Sequence, residues 1–375
     1  MKLLFCGDMA FTSSTGENEI LNTEMVNLFR EYDFKCVNFE CTMKGDEIKK
    51  IGPSLLLNET MCEAIKKADF DLFCLANNHI MDQGISGLQR IKEYFSDTQM
   101  IGAGESIDDA YQPYILSKDN LMIGIINVAE NGFGASINNG GYAWFGHSRF
   151  KKELHDLRRS VDYLILMVHA GAENWDAPLP EIRELYKDYI DMGVDVVIGN
   201  HPHVAQGWEK YNNKWIFYSL GNFAFYEGEK IENNRYSISA HVEITDNEIT
   251  CKPVYCKFEN RKVGICKDID FLNYVDSCNE IINNNNNNKY IKYINDKVRD
   301  SEMFIADCFS QVNGIYYKKS LINYAKTFVK RYIWKEKFNS MWLFHNLMIE
   351  THLWVAQRYL NLKVNYDETS ENQDS

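Results

Sequence analysis

Val194–Phe225 reads VDVVIGNHPHVAQGWEKYNNKWIFYSLGNFAF, and the order of its residues decides the fold class. The run Val194–Ile198, apolar except for Asp195, has the character of a strand covered on both faces, and Trp215–Tyr218 supplies a second apolar run. Between them stands Asn200-His201-Pro202-His203. The proline holds this segment extended and sets an imidazole on either side of itself. Chemistry-bearing side chains directly after a buried strand are placed where open α/β sheets carry their sites.

Working outward, further strand-like runs fall at Lys2–Cys6, Cys36–Phe39, Leu72–Leu75, Met122–Val128 and Tyr163–Val168. Helix-period segments lie between several of them, at Glu59–Ala68, Ile85–Phe95, Arg149–Ser160 and Pro180–Met192. This alternation predicts an α/β fold with mainly parallel strands. From Ser237 to Phe258 the period becomes two, with a turn at Asp246-Asn247, which predicts an antiparallel hairpin closing a sheet.

The 375 residues are 45% hydrophobic and 13% aromatic, enough apolar surface to offset chain entropy, so general disorder is excluded. A net charge of −13 argues against general nucleic-acid binding. The ten cysteines contain no CxxC pair. Cys6, Cys36 and Cys74 sit in or beside apolar runs and read as small buried hydrophobes, not a disulfide framework. The opening MKLLFCGDMA reaches Gly7-Asp8 too soon for a signal peptide, and no stretch approaches the ~18 apolar residues of a membrane span. A reducing cytoplasm is the expected compartment, with peripheral contact at the inner membrane face left open.

Beyond the hairpin the composition changes. Residues 259–288 read as a connection that ends in six asparagines, Asn283–Asn288. Residues 289–365 carry thirteen Lys and Arg against six Asp and Glu, with apolar residues at helical spacing such as Leu321, Tyr324, Phe328 and Tyr332. A basic, aromatic helical region is expected there. Lys318–Lys337 reads either as a solvated face over a packed core or as a surface for membranes or anionic polymers. The acidic end Tyr366–Ser375 reads as a frayed tail. The expected division is thus 1–258, 259–288, 289–365 and 366–375.

Five polar clusters follow the strands: Gly7-Asp8; Asn38-Phe39-Glu40; Asn77-Asn78-His79 with Asp82; His169 to Glu173; and Asn200 to His203. Singly, each has an ordinary reading, since a lone Asp after a strand commonly makes a turn or a cap. Together they would gather two carboxylates, a carboxamide and three imidazoles on one sheet edge. Such a group repels itself and leaves polar atoms unpaired unless a cation holds it. Mixed nitrogen and oxygen ligation suits Mn, Fe or Zn, one or two per chain.

With LANNHIMDQG (Leu75–Gly84), Gly102-Ala103-Gly104 and the long Val194–Phe225 stretch, the chain resembles the calcineurin-like metallophosphoesterases, and within them the CapA-like branch of poly-γ-glutamate capsule biosynthesis. The resemblance spans roughly residues 2–226, fades toward 258 and does not reach residues 289–365. It implies a four-layer α/β/β/α sandwich with a C-terminal helical appendage added to it. It also implies that Asp8 holds a first metal with His203, that Glu40 bridges, and that Asn78, His169 and His201 hold a second. His79 would serve the leaving oxygen, oriented by Asp82, while Glu173 and Asn222 would lie at the substrate. A metal-dependent hydrolase acting with activated water on an anionic, phosphoester-type substrate in capsule or exopolymer production is the implied function. The alternative is a non-catalytic accessory of a polymer synthase complex. Two departures stand out. Met9 and Ala10 follow Asp8 where the superfamily has Asp-x-His, which implies a weaker first site. Ala170 replaces the branch's Trp, which alters the pocket wall.

The remaining histidines, His147, His155, His241, His345 and His352, have no partner at ligand spacing and read as surface or core residues. Gly132–Gly141 lacks the dinucleotide pattern and reads as a loop.

Overall fold

Strands buried on both faces need apolar side chains on both, and Phe34–Phe39 (β2), Leu72–Cys74 (β3) and Val196–Asn200 (β10) are buried along their whole lengths. The computed structural model describes residues 1–12, 16–226, 235–245, 248–283, 287–301 and 340–371. The chain divides into two units, Met1–Ile48 with Pro53–Asn283, and Lys49–Gly52 with Asn284–Ser375.

Two sheets dominate the first unit. The larger runs β16 (Lys262–Ile265), β15 (Ile249–Glu259), β14 (Tyr236–Ile244), β1 (Lys2–Phe11), β2, β3 and β4 (Gln99–Ile101), with β13 (Asn222–Tyr226) also paired to β1. The second runs β11 (Trp208–Tyr211), β12 (Lys214–Phe217), β10, β9 (Tyr163–His169), β7 (Leu121–Ala129) and β6 (Tyr114–Lys118). A short pair, β5 (Ala103–Gly104) and β8 (Gly141–Tyr142), lies apart. In each large sheet the central strands are parallel.

The inner faces of the two sheets share one core. Leu3, Phe5, Cys36 and Leu72 of the first pack with Ile125, Ile165, Met167 and Ile198 of the second. On the outer face of the first sheet, Phe39 and Phe73 meet Phe95 edge-on at the end of α3 (Gly84–Tyr94), while Phe29 of α1 (Thr23–Phe29) meets Phe70 edge-on and stacks with Phe223. α2 (Glu59–Lys66) buries Met61, Cys62 and Ile65, and α4 (Ile107–Ala110) is a single turn beside β5. α5 (Ser148–Arg158) and α6 (Pro180–Asp191) cover the second sheet, and α7 (Ile269–Asn283) packs beside β11. The result is the expected four-layer α/β/β/α sandwich.

In the second unit α8 (Asn287–Asp300) and α9 (Ser340–Met348) each pack on α10 (Glu350–Glu371). The chain therefore carries the C-terminal helical region read from its sequence. No described helix is long and apolar enough to cross a membrane. The Lys318–Lys337 segment, with Leu321, Tyr324, Phe328 and Tyr332, lies outside the described residues, as does the Asp246-Asn247 turn.

Several local expectations are revised. The strand expected from Val194 starts at Val196, because Asp195 turns its carboxylate to the Leu164 amide and the Arg158 guanidinium. Asn222 opens a strand, because Gly221 makes the turn with φ 73° and leaves Asn222 in register with Asp8. Helix enters the asparagine run from both sides: Asn283 ends α7 and donates to the Trp208 and Asn279 carbonyls, and α8 resumes at Asn287. α10 continues to Glu371, into the acidic end that composition alone marks as frayed.

Candidate metal centre

Parallel strands in both sheets deliver their C-terminal ends to one edge. On the first sheet, β2 pairs with β1 as Cys6 to Val37 and then Asp8 to Asn38, so Gly7 is an extra, bulged residue. In an unbroken strand Asp8 would share the face of Leu4 and Cys6. The bulge moves it to the face of Phe5, which looks toward the second sheet. Only glycine fits at the bulge, since a Cβ there would stand 1.9 Å from the Gly221 carbonyl oxygen. The Asp8 amide donates to that same oxygen at 3.0 Å.

Asn38 Nδ2 donates to Asp8 Oδ1 at 2.8 Å and lies 3.2 Å from His169 Nδ1, so it joins the two sheets. Asn77 builds the next loop: Oδ1 accepts from the His79 and Ile80 amides, and Nδ2 donates to the Phe39 carbonyl. This turn presents Asn78 and His79. From the second sheet come His169, the last residue of β9, and His201, just past β10; the register sets Asn200 beside His169. His201 and His203 have φ of 95° and 61°, left-handed backbone that β-carbon residues seldom adopt. Strain of this kind is typically concentrated at functional sites.

The side chains form two adjoining groups. In the inner one, His169 Nε2 lies 2.9 Å from Asn78 Oδ1, 3.0 Å from His201 Nδ1 and 3.5 Å from Glu40 Oε1. In the outer one, His203 Nδ1 lies 3.5 Å from Asp8 Oδ2, and His203 Nε2 lies 3.9 Å from Glu40 Oε1. Glu40 belongs to both. The ligand atoms of Glu40, His169 and His201 lie within 4.8 Å of one another, as do those of Asp8, Glu40 and His203. Asn222 is placed at the outer group, with Oδ1 2.9 Å from His203 Nδ1. Glu173 is exposed at the rim, and its carboxylate makes a third such group with His201 and His203. His79 Nδ1 meets Asp82 Oδ2 at 2.8 Å, and that oxygen also accepts from the Leu55 amide. The structure thus gathers Asp8, Glu40, Asn78, His169, His201 and His203, sets Asn222 and Glu173 beside them, and pairs His79 with Asp82.

Two residues escaped that reading. Asn38 was quoted only as a neighbour of Glu40. Glu130, one residue beyond β7 and buried, has Oε1 3.3 Å from His201 Nε2. The signal for Glu130 is its place just after the run Met122–Val128, followed by Asn131 and with no histidine beside it.

The electrostatics ask for positive charge. Glu40 is fully buried, and neither of its oxygens has a hydrogen-bond partner among the described residues. Burial, then the neighbouring Asp8 charge, push its carboxyl well above the ordinary range. Burial, then His201 and His203, hold the His169 imidazole well below its ordinary value. Burial also opposes charge on His203, but attraction to Glu40 and Asp8 wins and raises it to about 10. A buried carboxylate without donors, facing ring nitrogens, fits a divalent cation with oxygen and nitrogen ligands.

The family model for "Bacterial capsule synthesis protein PGA_cap" matches residues 2–227. The chain is 30% identical over 210 residues to the PGA biosynthesis protein CapA of Bacillus subtilis (strain 168), covering 54% of this chain and 55% of that one. It is 31% identical over 187 residues to the capsule biosynthesis protein CapA of Bacillus anthracis, covering 46% and 44%. It therefore spans about half the length of the curated relatives it matches. Among solved structures, the 5'-nucleotidase of Candida albicans SC5314 aligns at 12% identity with a TM-score of 0.43, over 69% of this chain and 52% of that one.

Proposed function

This chain belongs to the bacterial capsule synthesis family PGA_cap, and from that premise we propose that it is a metal-dependent hydrolase of a phosphoester-type substrate, serving capsule or exopolymer production. The observation that carries the proposal is Glu40, a buried carboxylate without a hydrogen-bond donor, shared by two groups of ligand atoms.

Glu40, Asn78, His169 and His201 would hold one divalent cation, and Asp8, Glu40 and His203 a second. Bound there, Mn, Fe or Zn would supply Lewis-acid charge to a phosphoryl oxygen and its attacking water. The protein's own share is positioning and proton handling. Asp82 accepts the Nδ1 proton of His79, which leaves Nε2 as the atom that gives or takes a proton at the leaving oxygen. Asn38 keeps Asp8 and His169 in place across the two sheets, and Asn222 does the same for His203.

The test is turnover of bis(p-nitrophenyl) phosphate and p-nitrophenyl phosphate with added Mn or Fe. Wild type should exceed His201→Ala by at least about a hundredfold, the scale of losing several kcal/mol of charge stabilisation. Equal rates would defeat the hydrolase reading.

A second reading has an observation of its own. Among the described residues, buried Asp8 and Glu40 and half-buried His203 form the outer group with Asn222 beside His203, and Met9 and Ala10 offer no hard ligand. A chain that binds one structural cation and assists a polymer synthase would need no more. Copurification with a membrane synthase, together with no turnover by the metal-loaded chain, supports this alternative. Contact of residues 289–365 with an anionic membrane surface belongs to the same reading, and sedimentation of the full chain with anionic vesicles tests it.

A further inference from the structure

The third ligand group, Glu173 with His201 and His203, is left unused by the cation pair. Its ligand atoms lie within 4.8 Å of one another, at the solvent side of the site. A third ion there is chemically poor. A neutral imidazole has one ring lone pair to give, and His201 already turns Nδ1 to His169 Nε2 at 3.0 Å and Nε2 to Glu130 at 3.3 Å. The carboxylate's useful partner is therefore the ion that His203 serves.

We propose that Glu173 is the solvent-side ligand of the outer cation position, the one built from Asp8, Glu40 and His203. This rests on reading the site as a cation pair. Three side chains, even with the Asn222 amide oxygen beside His203, leave a divalent ion short of a full shell, and the residues after Asp8 do not extend it. Glu173 can do so because its loop is fastened to the segment carrying His203. The Asn174 amide donates to the Pro202 carbonyl at 2.8 Å, and the Ala170 amide to the Asn200 carbonyl at 3.1 Å. Gly171, at φ 131°, lets the loop turn against the Pro202 ring, where a Cβ would stand 3.0 Å from Cγ.

Burial gives this ligand a distinct part. Asp8 and Glu40 are fully buried, whereas Glu173 is exposed. Of the outer ligands it is the one that an incoming anionic oxygen displaces without uncovering a buried charge. The outer ion is then the exchangeable one, and Glu173 keeps it in place between substrates.

The experiment is titration of the metal-stripped full chain with Mn2+, followed by calorimetry and by the EPR signal of free Mn2+. Wild type should take up two ions with unequal affinity. Glu173→Gln should keep the tighter ion and weaken the other by at least about tenfold, since even a partner behind a ligand is worth that much. An unchanged thermal melt, expected for an exposed side chain, shows that the variant is folded. Two ions bound alike by wild type and variant would overturn the Glu173 assignment and leave the cation pair standing. One ion, unaffected by the substitution, would overturn it too. No uptake by wild type would bring down both readings.

Discussion

His201 Nδ1 and His169 Nε2 lie 3.0 Å apart, with Asn78 Oδ1 2.9 Å from the same His169 nitrogen. The His169 nitrogen has at most one proton for two acceptors there, beside a buried carboxylate without a donor among the described residues, an arrangement that a cation would relieve. A ligand that binds only the folded chain raises its stability by mass action. Mn2+ at roughly 100 times its Kd should add about 2.7 kcal/mol. The check is Tm by calorimetry across a Mn2+ series for wild type and His169→Ala. A Tm that does not move in wild type would remove the inner cation position.

Asp82 acts on substrate only through His79. Asp82→Asn keeps an oxygen for the Leu55 amide but replaces the charge that favours a proton on the imidazole. kcat should fall by about a hundredfold, near the lower end for general acid catalysis, with KM and bound metal unchanged. The basic limb of the pH–rate profile should also move to lower pH. A matching loss of metal would instead make the pair a structural prop.

Glu130 backs His201 from the far side of the ring, at 3.3 Å. Carboxylates behind ligating histidines fix the tautomer and raise ligand basicity, and their loss usually weakens metal binding by about 10–100-fold. Glu130→Gln, which preserves shape, should show that loss at the tighter of the two ions in the Mn2+ titration. An unaltered tight ion would reduce Glu130 to packing.

Away from the site, Arg183 grips Glu209 through two hydrogen bonds of 2.9 and 2.7 Å, and Tyr218 donates to the same carboxylate. Burial alone would push the Glu209 carboxyl up, but these donors more than offset it and its pKa lies below the ordinary value. A carboxyl depressed by folding contributes stability above its unfolded pKa and loses it as pH falls through the folded one. At pH 7, Glu209→Gln should cost about 3 kcal/mol, because the half-buried Arg183 is left beside a neutral partner. In urea melts the gap from wild type should narrow once pH falls below the ordinary carboxylate range. A gap that stayed constant with pH would show that the carboxylate charge contributes nothing.

The strand ends that carry His169, His201 and Glu40 were legible because buried parallel strands leave unbroken apolar runs, and the polar cluster after each run marks where it stops. Which face Asp8 would take was not legible. A bulge at Gly7 depends on the carbonyl of Gly221, more than two hundred residues away in the chain. The strand that Asn222 opens was not legible for a related reason, since it pairs with β1 from Asp8 onward. Glu130 takes its meaning from His201, just past β10, which β9 separates from β7 in the sheet, so its local sequence does not reveal it. Periodicity reports what a segment buries, and tertiary pairing reports what it faces.

The site draws Asp8, Glu40 and Asn78 from the first sheet, and His169 and His201 from the second. During synthesis the carboxylates and the amide emerge well before either histidine. A growing chain therefore exposes a half-site with little affinity until the later sheet has been made and has docked. An ion bound there would be captured after that docking and would rivet the two layers together along one rim, so uptake itself would record that the sandwich has closed.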